Sequence, residues 1–330
     1  MFPPTPIPEQ TATDGGETSQ AQSVPSATAA GTTTSATPET ETAPVAVDAG
    51  EVTITTPSLD GAISLAGGRI NQLALKNYDE TLDGADEVTI LSPIGTARPY
   101  YALFGWAHGD ALTAEDVPNA DTIWSVESGG ELTPETAVTL RWNSPSGLIF
   151  RRTIEVDDRF LFTINQTVEN PTETERMLAP FGLIARHGEP QDLSGFFIIH
   201  EGAIRRTDGE LEEINYNDMP DLRDDDSWGI NASVEQAQES GWVGFTDHYW
   251  MTSLIPEQGK AFTSVVQYLP GEDVYRTAAQ MPTVTLAPGA TSTTSTQLFA
   301  GAKEWDTIRD YEAGRKITGF SGAFSYFMGF

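Results

Sequence analysis

Phe160-Leu161-Phe162-Thr163-Ile164-Asn165-Gln166-Thr167-Val168 sets apolar side chains at positions 160, 162, 164 and 168 with polar ones mostly between them. That two-residue period belongs to a strand with one buried face. Val138-Thr139-Leu140-Arg141-Trp142 alternates in the same way. Working outward, short apolar or β-branched runs recur at Ile63–Leu65, Ile70–Leu75, Val88–Leu91, Tyr100–Phe104, Ile123–Val126, Leu148–Val156 and Met177–Ile184. They continue at Phe196–Ile199, Val243–Phe245, Met251–Ile255, Phe262–Tyr268 and Thr291–Phe299. Gly67-Gly68, Ser146-Gly147, Val156-Asp157-Asp158, Glu169-Asn170-Pro171 and Ala287-Pro288-Gly289 supply turns between them. So many closely spaced strands with no intervening helical period predict an all-β fold, a large antiparallel sandwich.

The ends depart from this texture. Residues 1–50 are rich in Thr, Ser, Ala, Pro and Glu, contain no Lys or Arg, and hold too little apolar surface to offset the entropy of ordering. They are expected to form a disordered linker, with the sandwich over 51–302 and a helix and stub over 303–330. In the last segment Trp305, Ile308 and Tyr311 recur at three-residue spacing, which predicts a short amphipathic helix with Gly314 as its stop. The charged stretch from Asp208 to Gln238 shows little periodicity and is expected to be a long surface excursion.

Composition narrows the function. A formal charge of -30, from 48 acidic against 18 basic residues, repels phosphate-bearing partners, which argues against nucleic acid and against anionic lipid headgroups. With zero cysteines there is no disulfide, thiolate metal site or thiol nucleophile. No stretch approaches the roughly 18–20 apolar residues of a membrane span. Met1-Phe2-Pro3-Pro4 lacks the basic and apolar regions of a signal peptide, so an exported protein would have its targeting element outside this sequence.

Candidate chemistry is thin. The four histidines, His108, His187, His200 and His248, form no close ligand pair, and no metal or cofactor is expected. No GxSxG elbow, Walker loop or dinucleotide fingerprint occurs, and Gly67-Gly68 reads as a hairpin turn. His187 beside Glu189 and His200 beside Glu201 could share acid/base work on a sugar, the alternative of an aldose-1-epimerase-like enzyme. Seven tryptophans raise another alternative, a carbohydrate-binding module. Most are expected to fill the space between sheets, with Trp228 and Trp305, in polar surroundings, the ones best suited to a ligand platform.

Three stretches together resemble the large periplasmic domain of the YidC family of bacterial membrane protein insertases. They are Thr55 to Tyr78, with its Gly67-Gly68-Arg69-Ile70 turn; Pro99-Tyr100-Tyr101-Ala102 through Trp106 and on to Pro180-Phe181-Gly182-Leu183-Ile184-Ala185-Arg186-His187-Gly188; and Leu298-Phe299-Ala300-Gly301-Ala302-Lys303-Glu304 before the helix. The second is similar to the alphaproteobacterial form. The resemblance implies a β-supersandwich shared with galactose mutarotase, closed by a helix, with no catalytic residue. It implies a place on the periplasmic side of the bacterial inner membrane, tethered through spans absent from this sequence. Partners would be the Sec translocon and nascent inner-membrane proteins, and the candidate contacts are Lys303, Trp305, Ile308 and Tyr311. Phe320 to Phe330 lacks the acidic residue that the family carries before its next span.

Overall fold

A strand with one wet face alternates, and a strand covered on both sides does not; both kinds occur here. The computed structural model describes residues 49–327 apart from 82, 83, 85, 110 and 191–199. The expected linker over 1–48 and the expected strand Phe196–Ile199 therefore lie outside the described residues. The larger sheet runs, in spatial order, Ala232–Ala237 (β14), Phe262–Leu269 (β17), Val274–Gln280 (β18), Arg176–His187 (β11), Tyr100–His108 (β5), Arg69–Asp79 (β3), Leu59–Ser64 (β2), Glu51–Thr55 (β1) and Glu131–Leu132 (β7). Val284–Leu286 (β19) adds to β11, and Glu87–Leu91 (β4) to β3. The second sheet runs Glu210–Asn215 (β13), Gly202–Thr207 (β12), Gly241–Thr246 (β15), Trp250–Pro256 (β16), Thr291–Ala302 (β20), Leu161–Glu169 (β10), Ile149–Val156 (β9), Val138–Asn143 (β8) and Ser125–Ser128 (β6). Among these strands the two-residue β7 pairs in parallel, with β1.

The core explains the two textures. On β10 the even positions Phe162, Ile164, Gln166 and Val168 are buried against the other sheet. Gln166 is tolerated there because its Nε2 donates to the Phe181 carbonyl across the interface, 3.1 Å away. At the centre of the larger sheet, Tyr100, Ala102, Phe104 and Trp106 of β5 face the sandwich core. Tyr101, Leu103 and Ala107 join Phe181, Leu183 and Val265 in a second apolar cluster on the opposite face. That outer face is covered in part by Trp228, so Tyr100–Phe104 and, beyond the exposed Met177, Leu178–Ile184 are strands buried on both sides.

Three sequence expectations are corrected. Asp208 to Gln238 holds strands β13 and β14 and a 3-10 turn at Tyr216–Asp221 rather than an unstructured excursion. The glutamates of β13 occupy a sheet edge, where charge guards against further pairing and hides the strand's period. Trp228 is buried, with Arg276 over its ring at 5.9 Å and its carbonyl accepting from Gln267. The helix is Trp305–Gly314 (α1), but its left-handed stop is Lys316 at φ 57°, with Arg315 as C-cap, rather than Gly314.

The Gly67-Gly68 turn between β2 and β3 is pinned from inside. Arg152 of β9, 1% exposed, donates from Nη1 to the carbonyls of Gly67 (3.2 Å) and Gly68 (2.7 Å) and from Nη2 to that of Phe104. Its guanidinium lies 4.5 Å from the Trp124 ring centre. A Cβ on Gly68, whose φ is 62°, would sit 2.5 Å from Arg152 Nη1, so only glycine fits. Beside it Arg69, also buried, donates to the Ala66 and Ala120 carbonyls.

Candidate partner surface at the C-terminal helix

The helix starts where β20 ends. Its apolar positions fall onto the second sheet: Ile308 and Tyr311 are buried, and Tyr311 stands edge-on to Phe299 at 6.1 Å. The Tyr311 hydroxyl donates to Asp157 Oδ2 (2.8 Å) and accepts from the Phe160 amide (3.2 Å), locking α1 onto the β9–β10 turn. Burial, reinforced by Asp157, pushes the Tyr311 pKa well up. Arg159 of the same turn reaches Thr307 and Asp310. Beyond the helix Ile317 and Phe320 are buried, Phe320 between Trp242 and Phe299.

Of the four sequence candidates, two are therefore docking residues, Ile308 and Tyr311. Trp305 is 38% exposed, edge-on to Phe324 at 5.3 Å, with the Arg309 guanidinium 5.5 Å from its ring centre. Lys303 turns inward, its Nζ donating to Thr246 Oγ1 at 2.9 Å. The structure thus keeps Trp305 at the surface and sets Lys303 beside a part-buried polar cluster.

Sequence reasoning missed that cluster. Arg186, at the end of β11, pairs with Asp247 in the β15–β16 turn (2.8 Å) and donates to the Tyr216 hydroxyl (3.1 Å). The guanidinium also lies over the rings of Tyr100 (4.7 Å) and Tyr216 (5.6 Å), and the Tyr100 hydroxyl bonds Thr252 Oγ1. One side chain from each sheet thereby meets in a charge-assisted bond inside the protein. The sequence signal was an Arg closing an apolar strand and an Asp in a turn, both common enough to pass unnoticed.

Burial pushes the Lys303 pKa down to about 8, against the pull of Asp247, Glu201 and Glu213. The sign for stability follows: the folded chain releases this proton near pH 8, and the unfolded chain holds it to its ordinary value of 10.5. The unfolded state binds more protons between the two, so stability rises with pH there. Between pH 8 and 10 the unfolding free energy of the parent is expected to gain about 1–2 kcal/mol relative to Lys303→Met. Urea titrations across that window check it, and parallel curves would contradict it.

The histidines are placed apart. His200 Nε2 meets the Ala203 carbonyl at 2.8 Å, and His187 Nε2 is buried without a hydrogen-bond partner. His187 borders a shallow recess on the outer face of the larger sheet with Tyr101, Leu183, Glu272 and Arg276. Among the described residues no group of His, Asp and Glu is arranged to hold a metal ion, and no helix is long and apolar enough to cross a membrane.

The profile of the YidC periplasmic domain family matches residues 51–326, from the first strand to the turn beyond α1. The chain belongs to that family. The membrane protein insertase YidC of Jannaschia sp. (strain CCS1) is 52% identical over 255 residues, covering 77% of this chain and 41% of that relative. The YidC of Dinoroseobacter shibae is 52% identical over 264 residues, 80% of this chain and 43% of the relative. The chain thus spans less than half the length of these curated YidC relatives. Among solved structures a galactose mutarotase related enzyme from Lactobacillus acidophilus shares the fold, with a TM-score of 0.50, 10% identity and coverage of 76% of this chain and 97% of that one. The YidC periplasmic domain is accordingly an antiparallel supersandwich of galactose-mutarotase type ending in one short helix.

Proposed function

We propose that this chain is a positioning module on the periplasmic side of the bacterial inner membrane, non-catalytic in itself, within a membrane-tethered insertase. Its partners in this reading are Sec translocon components and nascent inner-membrane proteins, and α1 presents the contact. The observation that carries the reading is the family match over residues 51–326, through relatives named membrane protein insertase. The division into a linker over 1–50, a sandwich over 51–302 and a helical end over 303–330 belongs to the same proposal. Ile308 and Tyr311 hold the helix in place, and Trp305 is the side chain left to meet a partner.

Trp305→Ala in the full-length protein is expected to leave folding intact and to lower co-purification of Sec components by roughly threefold to tenfold, the loss typical of one exposed aromatic contact. Unchanged co-purification would remove α1 from the contact surface.

A further inference from the structure

The exposed end of the β15–β16 hairpin and the start of α1 form one aromatic strip. Tyr249, 62% exposed, stands beside His248 at 3.9 Å and edge-on to Trp250 at 6.0 Å. Trp250 meets Tyr78 edge-on at 5.3 Å, and the Tyr78 hydroxyl donates to Glu304 at 2.6 Å. Trp305 follows directly, in contact with Phe324. The Lys303 amide donates to the Tyr249 carbonyl at 2.8 Å, which ties the hairpin end to the helix start. Among the described large hydrophobic residues that are exposed, the other four, Ile123, Val126, Met177 and Ile230, are aliphatic. The aromatic pair is confined to this end.

We propose that this strip seats on the zwitterionic headgroup layer of a lipid bilayer, with Tyr249 and Trp305 as the inserting side chains. Tyr and Trp carry an apolar body and a polar tip, the combination that collects at membrane–water interfaces. Phe324, edge-on to Trp305, belongs to a stretch from Phe320 to Phe330 whose sequence carries no charged residue. Charge selects the lipid: a chain of net charge -30 is repelled by an anionic surface and indifferent to a zwitterionic one. Length outside the structure agrees, since the family relatives are more than twice the matched span and are named for the membrane. The inference rests on the proposed function only in placing the domain beside a bilayer.

The test is flotation of the purified 330-residue chain with phosphatidylcholine vesicles, with and without phosphatidylglycerol. The parent is expected to float weakly with phosphatidylcholine and less when phosphatidylglycerol is added at low salt. The double substitution Tyr249→Ser, Trp305→Ser is expected to lower partitioning about tenfold with an unchanged circular dichroism spectrum, and Tyr249→Phe, Trp305→Phe to retain it. Absence of flotation, or flotation equal in parent and double variant, overturns the proposal. No translocon is present in this assay, so failure of the parent chain to float alongside intact Sec co-purification sinks the lipid seat and leaves the proposed function standing.

Discussion

Arg152→Ala is expected to cost about 3–5 kcal/mol of unfolding free energy, the sum of three buried carbonyls losing their donor and of the cavity left behind. Burial pushes the Arg152 pKa down to about 9, and three carbonyl oxygens and an indole face hold the cation there. Truncation strands the Gly67, Gly68 and Phe104 carbonyls in the core and opens a cavity beneath the β2–β3 turn. Arg152→Lys is expected to recover little, because one ammonium on a flexible stem cannot span carbonyls that a planar fork reaches together. Gly68→Ala should fail similarly, through its positive φ and the clash with Arg152. Urea unfolding followed by tryptophan fluorescence checks all three, and a loss under 1 kcal/mol for Arg152→Ala would contradict the packing described.

Asp247→Ala carries the second large effect. It leaves the Arg186 guanidinium inside the sandwich between Tyr100 and Tyr216 with its carboxylate gone. Arg186 and Asp247 keep 16% and 22% of their side-chain surface exposed, so loss of the carboxylate is expected to cost about 1–3 kcal/mol, whereas replacing both by apolar groups is often close to neutral. The double variant Arg186→Met, Asp247→Leu is therefore expected to be more stable than Asp247→Ala alone. A double-mutant cycle measures this; additive single losses would show that the pair does not bridge the sheets as a unit.

The contrast between these residues and the strands shows what a single sequence discloses. Phe160 to Val168 announces its register because one face meets a core and the other does not. Tyr100–Phe104 and Leu178–Ile184 announce burial but not orientation, since each is covered on both sides. Glu210–Asn215 was hidden because an edge strand guarded by glutamates has the composition of a loop. The candidate surface was half legible: three-residue spacing located the helix, and only the fold could separate Ile308 and Tyr311, which dock it, from Trp305, which faces out. Arg152 and Asp247 were silent because their partners are carbonyls and a side chain distant in sequence, and no local pattern records such pairings.

Arg152, buried, and the part-buried Arg186–Asp247 pair each join one sheet to the other. Of the two acid/base candidates, His200 spends its Nε2 on a backbone carbonyl, and His187 Nε2 is buried in the outer face of the larger sheet. The chain shares its fold with a galactose mutarotase related enzyme, and the function proposed above assigns the polar interior to rigidity and the C-terminal end to contacts.

Polarimetric mutarotation of galactose and glucose by the purified chain tests that claim most directly. The expected result is relaxation at the rate of the buffer blank, identical for the parent and for His187→Ala and His200→Ala. Acceleration by the parent that His200→Ala abolishes would contradict it and make the fold's chemistry, rather than its surface, the basis of function.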